Sequence, residues 1–170
     1  MSPSKRKAPH SIPVEPLTLD PIDRKILAIL QRDNQITNLA LAERVGLSPP
    51  PCLRRVRRLR ELGVIEKDVA LIDPIKVGQS IIAFVGVELD RQREDVLTSF
   101  ERKIASEPTV QQCYFVSGEI DYLLVVTCPD MESYNAFARR VLANEHNIRR
   151  FRTSFCLSRV KYDTAIPLGA

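Results

Sequence analysis

The sequence predicts an α+β protein in two parts: three helices closed by a short hairpin, then a four-stranded βαββαβ domain. Three observations carry this expectation. Apolar residues recur at helical spacing as far as Leu62, and the period changes after Asp73-Pro74. Five arginines (Arg54, Arg55, Arg57, Arg58 and Arg60) crowd one helical stretch just past a Gly-containing turn. The second half then sets two amphipathic helical stretches at matched places among four strand-like runs.

Residues 1–18 are rich in Pro and Ser, lack an apolar period and read as a disordered arm carrying Lys5-Arg6-Lys7. Asp20 is placed to cap the first helix, with Pro21 at its first position. Ile22, Ile26, Leu27, Ile29 and Leu30 form its inner face, leaving Asp23, Arg24, Lys25 and Gln31 outward. Thr37 caps a second helix with Leu39, Leu41, Ala42 and Val45 on its apolar side, and Gly46 ends it. Ser48 caps a third helix over 49–62, whose inner stripe is Cys52, Val56 and Leu59. Its opening Pro49-Pro50-Pro51 is tolerated because first-turn N–H groups have no intrahelical partner. Gly63 ends that helix, and 64–65 with 69–72 alternate with charge as a short hairpin. Three helices and a hairpin make a winged helix-turn-helix over 19–72.

Residues 73–79 read as a hinge. Beyond it come a strand at 80–89, a helix at 96–104, a strand at 112–116, a turn at 117–120 and a strand at 122–127. A helix at 131–142 and a closing strand at 148–162 complete the domain, taken as 80–168. This order is the ferredoxin-like split βαβ arrangement. Its two helices cover one sheet face, and a domain of roughly 90 residues cannot leave the other in water. A second copy of the chain is expected to cover it.

The net charge of +4 is uneven. Residues 1–78 hold 14 Lys and Arg against 9 Asp and Glu, whereas 79–170 hold 11 against 12. A dense cationic helix face repels itself unless a polyanion meets it, and the second helix of a helix-turn-helix is the one that enters a DNA major groove. Residues near that helix's N-terminus reach base edges, so Ser48, Pro50, Pro51, Arg54 and Arg55 are the expected readers. Arg57 shares the cationic face, Arg58 is expected on phosphate, and Thr37 and Asn38 are placed to donate to phosphate. The expected partner is double-stranded DNA bearing a pseudo-palindromic site.

No apolar run approaches the ~20 residues that span a membrane, and the N-terminus lacks an apolar core after its charges, so the expected location is cytoplasmic. Cys52, Cys113, Cys128 and Cys156 lack C-x-x-C spacing and read as buried thiols; only His10 and His146 could join them, so no metal site is expected. No Ser/His/Asp set or phosphate loop occurs, so neither catalytic residues nor a cofactor is expected.

Several motifs together resemble the Lrp/AsnC family of bacterial regulators. They are Leu19-Asp20-x-x-Asp23, Gly46-Leu47-Ser48-Pro49-x-x-Cys52-Leu53-x-Arg55-Val56-x-x-Leu59, Gly63-Val64-Ile65 and Leu71-x-Asp73-Pro74. The second domain adds Cys113-Tyr114-x-Val116-x-Gly118-x-x-Asp121-Tyr122-Leu123-Leu124, then Thr153-Ser154-Phe155 and Val160-Lys161-Tyr162. The resemblance implies a transcriptional regulator of amino-acid metabolism, dimers assembled into octamers, and an amino-acid effector bound between dimers. It puts Ser117, Gly118, Asp121, Tyr122, Met131, Ser154, Phe155 and Cys156 at or near that pocket. Backbone N–H groups around Gly118 would hold the α-carboxylate, and Asp121 would bear on the ammonium directly or by fixing the pocket. Asn144-Glu145-His146-Asn147 departs from the family's usual Leu-Pro-Gly turn. Two other readings stand beside this one: an effector-independent architectural protein that wraps DNA, and an enzyme resembling haem-precursor decarboxylases.

Overall fold

A computed structural model describes residues 18–169. Those residues divide into two compact units, one of 18–70 with 161–169 and the other of 71–160. The basic arm therefore lies, except for Thr18, outside the described residues.

In the first unit, α1 (Pro21–Leu30) starts at Asp20, whose carboxylate accepts the Asp23 N–H at 2.7 Å. Helix α2 (Asn38–Val45) starts at Thr37, whose hydroxyl accepts the Ala40 N–H, and it stops at Gly46 with φ 75°. That left-handed conformation is cheap only for glycine; it turns the chain so that α3 (Pro49–Glu61) begins three residues later. Ile26, Leu27, Leu41, Ala42, Val45, Cys52, Val56 and Leu59 make one buried core.

Two sequence expectations fail here. The hairpin over 64–65 and 69–72 does not form: Val64 and Ile65 both donate to the Leu59 carbonyl, and Val69, Leu71 and Ile72 are exposed without strand pairing. Arms of two to four residues lack the buried face that a two-stranded ribbon needs. Asp23, expected on the outer side of α1, is fully buried.

The second unit opens with a 3-10 turn (Ile75–Val77) and is built on a four-stranded sheet in the order β2-β3-β1-β4. Its strands are β1 (Ile81–Leu89), β2 (Val110–Phe115), β3 (Tyr122–Cys128) and β4 (Ile148–Phe155). Every neighbouring pair is antiparallel, so β3 sits between two mutually parallel strands, as the split βαβ order requires. Alternation sorts the faces: Ala83, Val85, Val87 and Leu89 of β1 and Tyr122, Leu124, Val126 and Cys128 of β3 are buried under α4 (Glu94–Ala105) and α5 (Met131–Phe137). Ile82, Phe84 and Gly86 with Leu123, Val125 and Thr127 occupy the opposite face in register.

Four details depart from the sequence reading. The helix expected over 131–142 is α-helical only to Phe137, and Ala138–Ala143 winds as a π-helix. Lys103 Nζ donates to the Val141 carbonyl there at 3.0 Å. Strand β4 ends at Phe155 rather than at 162 because β1, its one neighbour among the described residues, begins at Ile81; Cys156 N–H to the Ile82 carbonyl is the last rung. Residues 161–168, expected in the second domain, instead group with the first unit. Gln31 pairs with both the N–H and the carbonyl of Ile166, Arg32 bonds Asp163, Arg24 donates to the Leu168 carbonyl, and Leu168 packs against the helical core. Finally, Cys113 is exposed and Cys156 half-buried, because β2 and the end of β4 lie at the sheet's edges.

The unusual segment 144–147 is a secured turn. Asn147 exchanges side-chain hydrogen bonds with both the N–H and the carbonyl of Arg91.

Candidate functional site

The arginine helix does not present five equivalent cations. At about 100° per residue, Pro50, Arg54, Arg57 and Glu61 point away from the buried stripe of Cys52, Val56 and Leu59. Arg54 and Arg57 are exposed and, among the described residues, have no ion-pair partner. Arg55 and Arg58 turn toward α1 instead. Arg55 Nη1 donates to Asp20 at 2.5 Å and to Asp23 at 2.9 Å, and Arg58 Nη2 donates to Asp23 at 2.5 Å. Both Asp23 oxygens are thereby engaged, and the second Asp20 oxygen serves the Asp23 N–H. That N–H first, and the Arg55 guanidinium second, hold the Asp20 carboxyl below the usual carboxylate range. The same two carboxylates raise the Arg55 guanidinium above its ordinary value. Arg60 bonds the exposed Asp68 at 3.0 Å.

The triple proline changes the helix start. An N-cap hydroxyl accepts from the N–H of the second or third helical residue, and here both are proline. Ser48 accordingly makes no capping hydrogen bond and its exposed hydroxyl is left for another partner. The first main-chain bond of α3 is Cys52 N–H to the Ser48 carbonyl at 3.3 Å. Asn38, expected to donate to phosphate, gives its side-chain amide to the Pro49 carbonyl at 2.9 Å and so ties α2 to the start of α3. Thr37 is exposed at the head of α2, its hydroxyl oxygen occupied by the cap.

The residues expected around an effector separate into two groups. Ser117, Gly118, Asp121 and Tyr122 lie at the β2–β3 turn, beside the Val87 end of β1. Met131, Ser154, Phe155 and Cys156 lie at the other end of the sheet, where β1 begins and β3 finishes. The seven residues of β3 between them span roughly 20 Å at about 3.4 Å per residue. One protomer therefore does not bring them together.

Around the turn, Gly118 has φ 128°, and the N–H groups of residues 117–120 carry no hydrogen bond among the described residues. Asp121 is buried behind them, its carboxylate accepting from Leu89 N–H and from the Gln92 amide, each at 2.6 Å. Both of its oxygens are thereby engaged within the protomer. Ile120 lies on Gly86, where any Cβ would stand 3.2 Å from two of its carbons. Tyr122 is a core side chain: its ring packs against Phe100 and Phe115 and its hydroxyl donates to Glu101. At the far end Met131 and Ser154 are exposed, and the Phe155 ring meets Tyr134 edge-on at 5.0 Å.

A polar cleft of about 380 Å³ lies between the end of α4 and the π-helical turn, lined by Lys103, Glu107, Thr109 and Arg140. Its charges are paired internally, Lys103 with Glu145 and the buried Glu107 with Arg140.

Sequence reasoning missed the Asp20–Asp23 clamp, although two carboxylates three residues apart on the helix facing five arginines were a readable signal. Gln92, Gly86 and Ile120 carried no signal, since their roles arise from pairings far apart in sequence.

Comparison with known proteins agrees with both units. The winged helix-turn-helix DNA-binding domain matches residues 19–66 and the Lrp/AsnC ligand binding domain matches residues 82–166. The leucine-responsive regulatory protein of Rhizobium meliloti is 43% identical over 143 residues, which cover 84% of this chain and 92% of that one. Its Escherichia coli counterpart is 41% identical over 143 residues, covering 84% of this chain and 87% of that one. Among solved structures, a Neisseria meningitidis transcriptional regulator in complex with L-methionine superposes with a TM-score of 0.83 at 37% identity, covering 89% of this chain and 97% of that one. An AsnC family transcriptional regulator from Agrobacterium tumefaciens gives 0.83 at 40% identity, over 88% and 97%. A helix-turn-helix unit with a cationic second helix, a βαββαβ unit and these relatives agree: the chain belongs to the Lrp/AsnC family of DNA-binding transcriptional regulators.

Proposed function

We propose that the chain is an amino-acid-responsive regulator acting on DNA in the cytoplasm, with an effector site assembled between copies of the chain. The observation that carries this reading is the separation of the two site groups across the sheet. A small zwitterion cannot reach both ends of one protomer, so the 117–120 turn of one copy and the Met131 and Ser154–Cys156 end of another must supply its walls. In the turn, unpaired N–H groups around Gly118 suit an α-carboxylate. Asp121 holds that turn rather than the ligand. The L-methionine complex of the similar Neisseria meningitidis regulator supports an amino acid as the class of ligand.

On the DNA side, Arg54 and Arg57 are the arginines offered to the duplex, with Ser48, Pro50 and Pro51 beside them. The open sheet face, with Phe84, Leu123, Val125 and Tyr114, is the dimer interface, and higher assembly follows from the composite site.

Thermal unfolding of the full chain against each of the twenty amino acids tests this. A ligand that binds only the folded state raises the melting temperature. At least one amino acid is expected to do so in the native chain and not in Gly118→Val, whose side chain cannot adopt φ 128° without strain. Twenty flat profiles would leave the architectural DNA-binding role standing in its place.

A further inference from the structure

We propose that Asp23 is a positioning residue that withholds Arg55 and Arg58 from DNA and so sets how many arginines of α3 meet the phosphates. Asp23 is fully buried, yet its two oxygens are met by Arg55 and Arg58 at 2.9 and 2.5 Å. Asp20 adds a second hold on Arg55 at 2.5 Å. Two carboxylates thus neutralise two of five arginines, and no other described cation bonds either carboxylate.

The clamp is lopsided in a way that matters for function. The Arg58 side chain is half exposed, and it is free to swing outward; the Asp23 carboxylate is not. Should Arg58 leave for a phosphate, it would strip a buried carboxylate of one of its two partners, which is costly in a medium of low dielectric. A phosphate in water-exposed contact offers less in exchange, so Arg58 stays. Arg54 and Arg57 have no such alternative among the described residues and remain available. The clamp limits the sequence-independent part of DNA affinity, which grows with each neutralised phosphate, and leaves the outward face for contacts that discriminate.

This inference rests on α3 being the recognition helix, and the test separates the two. Binding of the full chain to a labelled 40-base-pair mixed-sequence duplex is followed by anisotropy over a range of salt concentrations, for the native chain and for Arg54→Ala, Arg57→Ala, Arg58→Ala and Asp23→Asn. The slope of log affinity on log salt falls by about one for each phosphate that a bound helix no longer neutralises. Arg54→Ala and Arg57→Ala should each lower the slope by about one, whereas Arg58→Ala should leave it unchanged. Asp23→Asn keeps the shape but releases its arginines, and should steepen the slope by about one or two. A merely structural Asp23 would change stability and leave the slope alone. Should Asp23→Asn fail to fold, the contrast between Arg57→Ala and Arg58→Ala decides alone. A drop for Arg58→Ala equal to that for Arg57→Ala would overturn the clamp while sparing the recognition helix. No change in any arginine variant would overturn both.

Discussion

Residue by residue, the deciding feature is whether a charged group has somewhere to go. Arg55 was expected to read a base, yet it spans Asp20 and Asp23. Arg55→Ala is therefore expected to act first on stability. It leaves buried Asp23 with Arg58 alone, a loss of roughly 2–3 kcal/mol, less than the removal of every partner. Chemical denaturation should show this in the DNA-binding unit, with Arg54→Ala nearly neutral in the same measurement. Glu107 gives a pH-dependent counterpart in the other unit. The Arg140 guanidinium first, then Thr109, lower its pKa from 4.5 to about 2 against the opposing effect of burial. The unfolded chain takes up this proton at higher pH than the folded one, so the contribution is complete above about pH 5 and is lost as pH falls through 4.5 toward 2. Arg140 is largely exposed, so screening limits the contribution to about 2 kcal/mol. The stability gap between native chain and Glu107→Gln should close over that window. Residue types and spacings announced the arginine face, the outward direction of Arg54 and Arg57 and the Gly118 turn, but nothing local told that Arg55 is held, because its partner Asp23 lies more than thirty residues away.

Elements with local signals formed where the sequence placed them. Caps at Asp20 and Thr37, glycine at position 46 and alternation in β1 and β3 each act within a few residues. Elements that depend on a distant neighbour did not. The 64–72 segment has the alternation of a hairpin, yet only Val64 and Ile65 pack on the helical core and 66–72 stay exposed without strand pairing, and β4 stops where β1 runs out. The C-terminal segment is the clearest case: short, without period, and held to α1 and the residues just after it by Gln31, Arg32 and Arg24. Truncation after Val160 should lower the stability of the DNA-binding unit by roughly 2 kcal/mol, since the partly buried Leu168 is lost from the core and the Gln31–Ile166 pair is gone. Hydrogen exchange should localise the effect to α1. Equal loosening of β1 and β3 would refute that role.

For the whole molecule, the proposed second copy answers an exposed apolar sheet face. Phe84 and Tyr114 are 41% and 50% exposed on the open sheet face, in register with Leu123 and Val125. That surface is too apolar to stay in water, and a second copy covering it would also set two recognition helices on one duplex. If the proposed dimer forms through this face, light scattering at micromolar concentration should find the native chain dimeric and Phe84→Arg monomeric. The substitution should also reduce DNA affinity, because a monomer brings one recognition helix where the dimer brings two, with both units still folded. The open face itself was legible in the alternation of β1 and β3, whereas the partner surface proposed for it lies on another copy and leaves no mark in one chain's spacing.

Regulation requires that the effector and DNA sites communicate, and coupling is reciprocal: whatever an amino acid does to DNA affinity, DNA does to amino-acid affinity. The most direct test titrates the full chain onto a labelled mixed-sequence duplex with and without each amino acid that raises its melting temperature, alongside the Arg54→Ala/Arg57→Ala double variant. The expected result is a several-fold change in Kd with at least one amino acid, and at least a tenfold loss of DNA affinity in the double variant with its thermal response to that amino acid intact. A Kd indifferent to every stabilising amino acid, or a double variant that binds DNA as the native chain does, would contradict the account.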